Sequence, residues 1–303
     1  MFSRRDKTTG SSGWWTGIRG RNKISKTALD ILQRPLSLAA ASGNIFAFAW
    51  AGDLPASFDG PKWARLLCAK GSGLGLDGLF CLHAPKPGMP WVMDHWDADG
   101  AFSFCSNGSR AALALQGAPE PEFVDAISSG ESIRLRRFTA TPHIRIGIRM
   151  PEGPGFGLKA LPIQLKEPAA FGFVGNPHLI IEVEDVDSVD LATYAPPLRH
   201  HPAFPEGTNV NILQPMGNGT ARIRSWERGV EGETLCCGTG CAVAAAWMAQ
   251  RTGLSSWQLQ PAGGDPVDVS VELKEDGSWR ELWLSGRVRI IAAVVPDASL
   301  GLV

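Results

Sequence analysis

Two cysteines sit in matching surroundings 132 positions apart. Cys105-Ser106-Asn107-Gly108 recurs as Cys237-Gly238-Thr239-Gly240. At the same offset Gly43-Asn44 recurs as Gly175-Asn176, and Gly75-Leu76-Asp77 as Gly207-Thr208-Asn209. Such a repeat implies two similar halves, each with a cysteine near the end of its motif set. After each cysteine a turn runs into an Ala-rich segment that ends in glycine, Gly117 and Gly253. Alanine is the best helix former, and a terminal glycine suits the position just past a helix end. Each cysteine is therefore expected at or just before a helix N-terminus. The free amides and positive dipole end there lower a thiol pKa from about 8.5 toward neutrality and attract a carboxylate.

One thiol from each half suggests a site between the halves. That arrangement suits proton transfer at a stereocentre: one thiolate removes a proton from one face and the opposite thiol delivers one to the other. The α-proton of an amino acid is a weak acid, so the helix starts would also stabilise charge growing on the carboxylate. Other cysteine chemistry fits less well. No CxxC pair exists, and Cys237-x3-Cys241 lacks a second ligand pair, which argues against a thiol–disulfide oxidoreductase and a zinc site. Cys68, Cys81, Cys236 and Cys241 read as small core residues. His200-His201 has no carboxylate cluster at ligand spacing, so no metal site is assigned.

SWERGVEGETLCCGTGCA (225–242) closely resembles the second cysteine motif of diaminopimelate epimerases. GNPH (175–178), FPEGTNVN (204–211), DADGAFSFCSNGSRAA (97–112) and SGNIF (42–46) are similar to further motifs of that family, in the same order. The resemblance implies a cofactor-independent enzyme with Cys105 and Cys237 as its acid/base thiols. It implies that Asn107, Gly108, Gly238 and Thr239 surround the α-carboxylate, and that Asn44, Asp97, Asn176, Asn209 and Arg228 line or hold the substrate. Glu227 and His178 match groups close to the reacting centre. Four positions depart from the pattern: Asp97 replaces Asn, Gly78 replaces Gln, Ile45 replaces Asp and Ser106 replaces Gly. The implied reaction is LL- to meso-diaminopimelate, a step of lysine and peptidoglycan precursor synthesis. Because Asp97 would repel a second carboxylate, a racemase for an amino acid with a basic or neutral side chain is the alternative, with a degenerate amino-acid-binding relative as a third reading.

These residues need a scaffold. IRLRRFTATPHIRIGIRM (133–150) and DPVDVSVELKEDGSWRELWLSGRVRIIAAVV (265–295) alternate apolar with polar residues, the period of strands. The expected class is α+β: two pseudo-symmetric halves, each a mostly antiparallel sheet or barrel around one central helix, with the site in the cleft between them. The expected organisation is a basic flexible leader (1–34), a first half (35–150), a second half (151–285) and a terminal strand (286–303) returning to the first half. The leader carries a net +6 of an overall −1. That near-neutral balance argues against a nucleic-acid partner. The uncharged stretch 35–52 contains Pro35, Gly43 and Asn44 and reads as strand–turn–strand rather than a membrane span. Without a secretion signal the compartment reads as reducing and cytoplasmic. The partner is a small-molecule amino acid, with a homodimer left open.

Overall fold

The computed structural model describes residues 35–116, 123–139, 144–153, 155–297 and 300–302. The leader assigned to 1–34 and the helix-ending Gly117 lie outside the described residues. No helix among the described residues is long and apolar enough to cross a membrane.

The first half opens with β1 (Leu36–Ala41) and β2 (Asn44–Trp50). Ser42 and Gly43 both have positive φ, 52° and 95°, which gives the tight turn that a two-residue hairpin needs. There follow α1 (Gly60–Cys68), β3 (Gly78–Leu82), β4 (Trp91–Asp97), α2 (Ser106–Leu115), β5 (Val124–Ser128), β6 (Glu131–Thr139) and β7 (Arg145–Arg149). The second half carries β8 (Gly157–Lys159), β9 (Ala169–Phe173), β10 (Pro177–Glu182), α3 (Leu191–Arg199), β11 (Asn209–Gly217), β12 (Thr220–Glu227), β13 (Gly232–Thr234), α4 (Gly238–Thr252), β14 (Ser256–Pro261) and β15 (Val267–Leu273). The last strand, β16 (Trp279–Val294), is 16 residues long.

The halves repeat one pairing scheme. Along β1-β2-β3-β4-β5-β6-β7 the second and fourth pairings are parallel and the rest antiparallel. The path β9-β10-β11-β12-β14-β15-β16 follows the same sequence. β16 belongs to both. It pairs with β15, then with β7 through Trp283–Arg287, and then with β1 from Val288 to Val294. Those last contacts close the first half into an eight-stranded barrel.

Each half wraps its sheet around one helix. α4 is buried from Gly238 to Ala249, and its AVAAA run is why it fits. A helix surrounded on all sides must be apolar all round, and short side chains let strands approach its axis. α2 is buried from Ser106 to Ala114. α4 ends at Gly253 in the left-handed conformation, φ 75°. Two helices lie outside the one-per-half scheme expected from sequence. α1 has an Asp59 side-chain cap on the Lys62 amide and packs Trp63 and Leu67 into a separate apolar cluster. α3 forms despite Pro196 and Pro197 because Leu191 and Ala195 pack into a third cluster.

Gly108 shows how tight the α2 packing is. A Cβ there would lie 2.0 Å from the Phe80 ring. Gly108→Ala is expected to destabilise the protein by about 1–3 kcal/mol through overpacking, measured by urea denaturation.

Candidate active site

Cys105 is the N-cap residue of α2 and Cys237 the N-cap of α4, both with extended backbone. The two helices meet nearly end to end. A Cβ on Gly238 would sit 2.4 Å from Ser106 Oγ and 2.7 Å from Asn107 Oδ1, so only glycine permits this approach. Both cysteines line one cavity of about 540 Å³ between the halves. The Gly108 and Asn107 amides face the Cys105 sulfur. Cys237 Sγ lies 3.5 Å from Thr239 Oγ1 and hydrogen-bonds the Glu227 carboxyl.

A polar chain ties the helix starts together. Arg110 is fully buried and donates through Nη2 to Ser42 Oγ (2.9 Å) and Asn107 Oδ1 (2.7 Å). Asn107 Nδ2 donates in turn to Asn44 Oδ1 (2.8 Å) and to the Cys236 carbonyl (3.1 Å). The chain therefore runs from the β1–β2 turn through α2 to the residue before Cys237.

The second half sets one fixed cation, Arg228, in the wall. Asn209 Oδ1 accepts the Arg228 amide at 2.8 Å and its Nδ2 donates to the Pro177 carbonyl at 3.2 Å. Arg228 Nη2 donates to Asn176 Oδ1 at 2.8 Å and Nη1 to the Glu206 carbonyl at 3.0 Å. Such a fixed guanidinium suits a carboxylate. Glu227, at the end of β12, accepts a hydrogen bond from Thr234 Oγ1. Burial pushes its carboxyl up to about 7, against the opposing hydrogen bonds from Thr234 and Cys237.

The cavity gathers Asn44, Asp97, Cys105, Asn107, Asn176, Asn209, Glu227, Arg228, Cys237, Gly238 and Thr239 from the residues singled out in the sequence. Gly108 and His178 are not on its wall. Gly108 packs on Phe80. His178 is completely buried, its Nδ1 3.3 Å from Asn211 Nδ2. Burial, helped by Arg228, pulls its imidazole down to about 3, so it stays neutral. The expected lowering of the thiol pKa values is also corrected. Burial pushes Cys105 and Cys237 up, outweighing the helix-start amides. The dipole effect is real but acts here in a desolvated junction that the sequence does not disclose.

Residues not anticipated also line the wall. Asp77 accepts the Ile45 amide at 2.7 Å, and its place as the repeat mate of Asn209 was the available signal. Arg199 pairs with Glu231 at 2.7 Å. Cys236, read as a core residue, is buried and also borders the cavity. Gly78 is filled from below: a Cβ there would lie 2.4 Å from His95 Nε2. Among the described residues no cluster of His, Cys, Asp and Glu gathers to hold a metal.

The fold places the protein in a structural class shared with solved racemases and epimerases. It superposes on a hydroxyproline epimerase from Agrobacterium vitis with TM-score 0.64 and 14% identity, over 89% of this chain and 94% of that one. A probable proline racemase from Agrobacterium radiobacter gives TM-score 0.63 and 12% identity, over 86% and 92%. The diaminopimelate epimerase family model matches residues 172–291. A diaminopimelate epimerase of Gemmatimonas aurantiaca is 34% identical over 248 residues, 76% of this chain and 86% of that protein. One from Aquifex aeolicus is 33% identical over 226 residues, 70% and 79%. The chain belongs to the diaminopimelate epimerase family, and is an isomerase.

Glu227 gives a pH test. A carboxyl whose pKa is raised on folding binds its proton more tightly in the folded state. It therefore costs stability progressively as pH rises from its ordinary value of 4.5 to about 7. Glu227→Gln is expected to be more stable relative to the parent at pH 8 than at pH 4, compared by thermal denaturation at both.

Proposed function

We propose that the protein is a cofactor-independent epimerase that inverts an amino-acid α-carbon by two-thiol proton transfer, converting LL- to meso-diaminopimelate. The observation that carries this reading is one N-cap cysteine from each half on a single cavity. The names of the relatives, diaminopimelate epimerases, supply the substrate.

In the proposed reaction the α-carboxylate lies at the junction of the two helix starts, among Asn107, Gly238 and Thr239. One cysteine acts as thiolate and takes the α-proton; the other, as thiol, gives its proton to the opposite face, so each turnover exchanges their protonation states. Charge growing on the carboxylate is stabilised by backbone amides already in place. Glu227, with its pKa near neutrality and bonded to Cys237, moves the proton that makes that sulfur a base. Arg228, Asn176 and Asn209 hold the second carboxylate, and Asn44 steadies Asn107. His178 serves as a positioning group. It contacts Asn211, whose Oδ1 would lie 2.3 Å from a Cβ on Gly240 in the first turn of α4.

Asp97 favours the second reading, a racemase for a basic amino acid. It lines the cavity, and its carboxylate lies 3.9 Å from Nε2 of the buried His95. A panel of L-amino acids beside LL-diaminopimelate, scored by solvent deuterium entering Cα, separates the two readings and also a binder without turnover. Cys105→Ser and Cys237→Ser are each expected to lower turnover by about 10²–10⁴-fold. Full activity in Cys105→Ser would overturn the two-thiol mechanism.

A cytoplasmic placement belongs to the same reading, supported by six cysteines that are all unpaired. A homodimer is part of it too, supported by the exposed Ile290 and Ile291 on β16. Light scattering during gel filtration is expected to give twice the 32.4-kDa chain mass; a single chain mass counts against it.

A further inference from the structure

The first half gives the cavity three carboxylates, Asp77, Asp97 and Asp99, and among the described residues no cation. Two of them are held by backbone amides: Asp77 accepts from Ile45 at 2.7 Å and Asp99 from Ala101 at 2.8 Å. Asp97 has a different neighbour. Its Oδ1 lies 3.9 Å from Nε2 of His95, two residues back on β4. His95 is completely buried, its ring centre 4.4 Å from that of Phe80. Its Nδ1 lies 3.1 Å from the Ser103 carbonyl, which can only accept, so Nδ1 carries the hydrogen and Nε2 is left with a lone pair. That Nε2 is buried and has no hydrogen-bond partner, a costly state for a polar atom.

The fold clears space for it. Gly78 on β3 stands opposite Asp97 in the strand pairing, and a Cβ there would lie 2.4 Å from His95 Nε2. The imidazole therefore fills the place of a side chain at 78. Around the ring, β2 presents Phe46, β3 presents Phe80, and the loop before α2 presents Ser103. Asp97 is the charge that faces it. Around Asp97 are Cys68 at the end of α1, Cys105 at the start of α2, and Glu227 across the cavity. Of the two cations on the cavity, Arg199 is paired with Glu231 and Arg228 is fixed on Asn176. A lone pair and a carboxylate this close oppose each other until a proton comes between them. Burial pulls the imidazole down, and Asp97 pushes the other way. A second anion beside Asp97 adds to that push.

We propose that His95 and Asp97 are a proton-holding pair that sets which charge the first half shows to the substrate. When a substrate carboxylate arrives, a proton from solvent is taken up on Nε2, the imidazolium pairs with Asp97, and the wall becomes neutral. When an ammonium arrives, the proton stays in solvent and Asp97 remains negative. His95 is a positioning residue that acts through Asp97. This rests on the reading of a substrate with a carboxylate at its far end, and it removes the conflict between Asp97 and that carboxylate.

The first test needs no turnover. Its probe is pimelate, the dicarboxylate with the carbon chain of diaminopimelate and no amino groups. The full chain is labelled with nitrogen-15 at its histidines, and His95 is assigned by its loss in His95→Gln. At neutral pH the His95 ring is expected in the neutral Nδ1–H form alone and doubly protonated with saturating pimelate, and neutral in both states in Asp97→Asn. Pimelate that fails to bind by about 10 mM, or binds with His95 neutral, or protonates His95 equally in Asp97→Asn, overturns the proposal. The second test is kinetic. Uptake of one proton makes KM for LL-diaminopimelate rise with each pH unit above neutrality by up to about tenfold more in the parent than in Asp97→Asn. His95→Leu is expected to raise KM about tenfold with kcat within about threefold, and adding Asp97→Asn to bring KM back. An unmoved KM in His95→Leu, or no recovery in the double variant, overturns the pair; should His95→Leu not fold, His95→Gln takes its place. Turnover of lysine but not of LL-diaminopimelate, with pimelate still protonating His95, overturns the substrate reading alone and supports the pair.

Discussion

The structure depends on two helices whose N-termini are pressed against each other inside apolar barrels. That junction concentrates unpaired backbone amides in a desolvated place, where they act strongly on any negative charge. It also limits what can stand there. Glycine at 238 is required because Ser106 and Asn107 already occupy the space of a side chain. Cysteine is small enough to cap each helix, and neither cysteine uses its side chain to do so. Both sulfurs are left for other work.

The same burial that concentrates the amides penalises the thiolate. Two opposing forces therefore meet at each sulfur, and desolvation prevails. The wall opposite divides its charges, with Arg228 fixed by Asn176 and the Glu206 carbonyl, and Glu227 fixed by Thr234. A guanidinium held by neutral acceptors keeps its attraction for an incoming anion, whereas Arg199, already paired with Glu231, has spent much of its own.

Much of this was legible in the residues. The Ala-rich runs and Gly253 marked α4, and the matched cysteine tetrapeptides marked a twofold-like layout, because helix propensity and repeats are local properties of a chain. The alternation of 265–295 indicated strands. The return of the last strand to the first half was expected only from the family resemblance; its register, with Val288 against Ala41, was not legible, since those partners lie far apart in sequence. His178 looked like a site residue from GNPH, yet β10 turns it into the interior toward Asn211. The sign of the thiol shift was missed for a similar reason: a helix start can be read from sequence, whereas the second barrel that covers it cannot. Asp77 was visible only as a repeat mate, and Arg110 only as one more basic residue in an Ala-rich run.

The long shared strand has a consequence for how the molecule comes into being. Residues 36–41 must wait for residues 288–294 before their barrel can close. During synthesis the first half therefore emerges with an open seam that stays open until residues 288–294 have been made. Contacts separated by some 250 positions set the pace, which makes assembly slow and all-or-none. The cavity is then the last thing to exist, and a nascent or truncated chain carries two reactive sulfurs with no chamber around them.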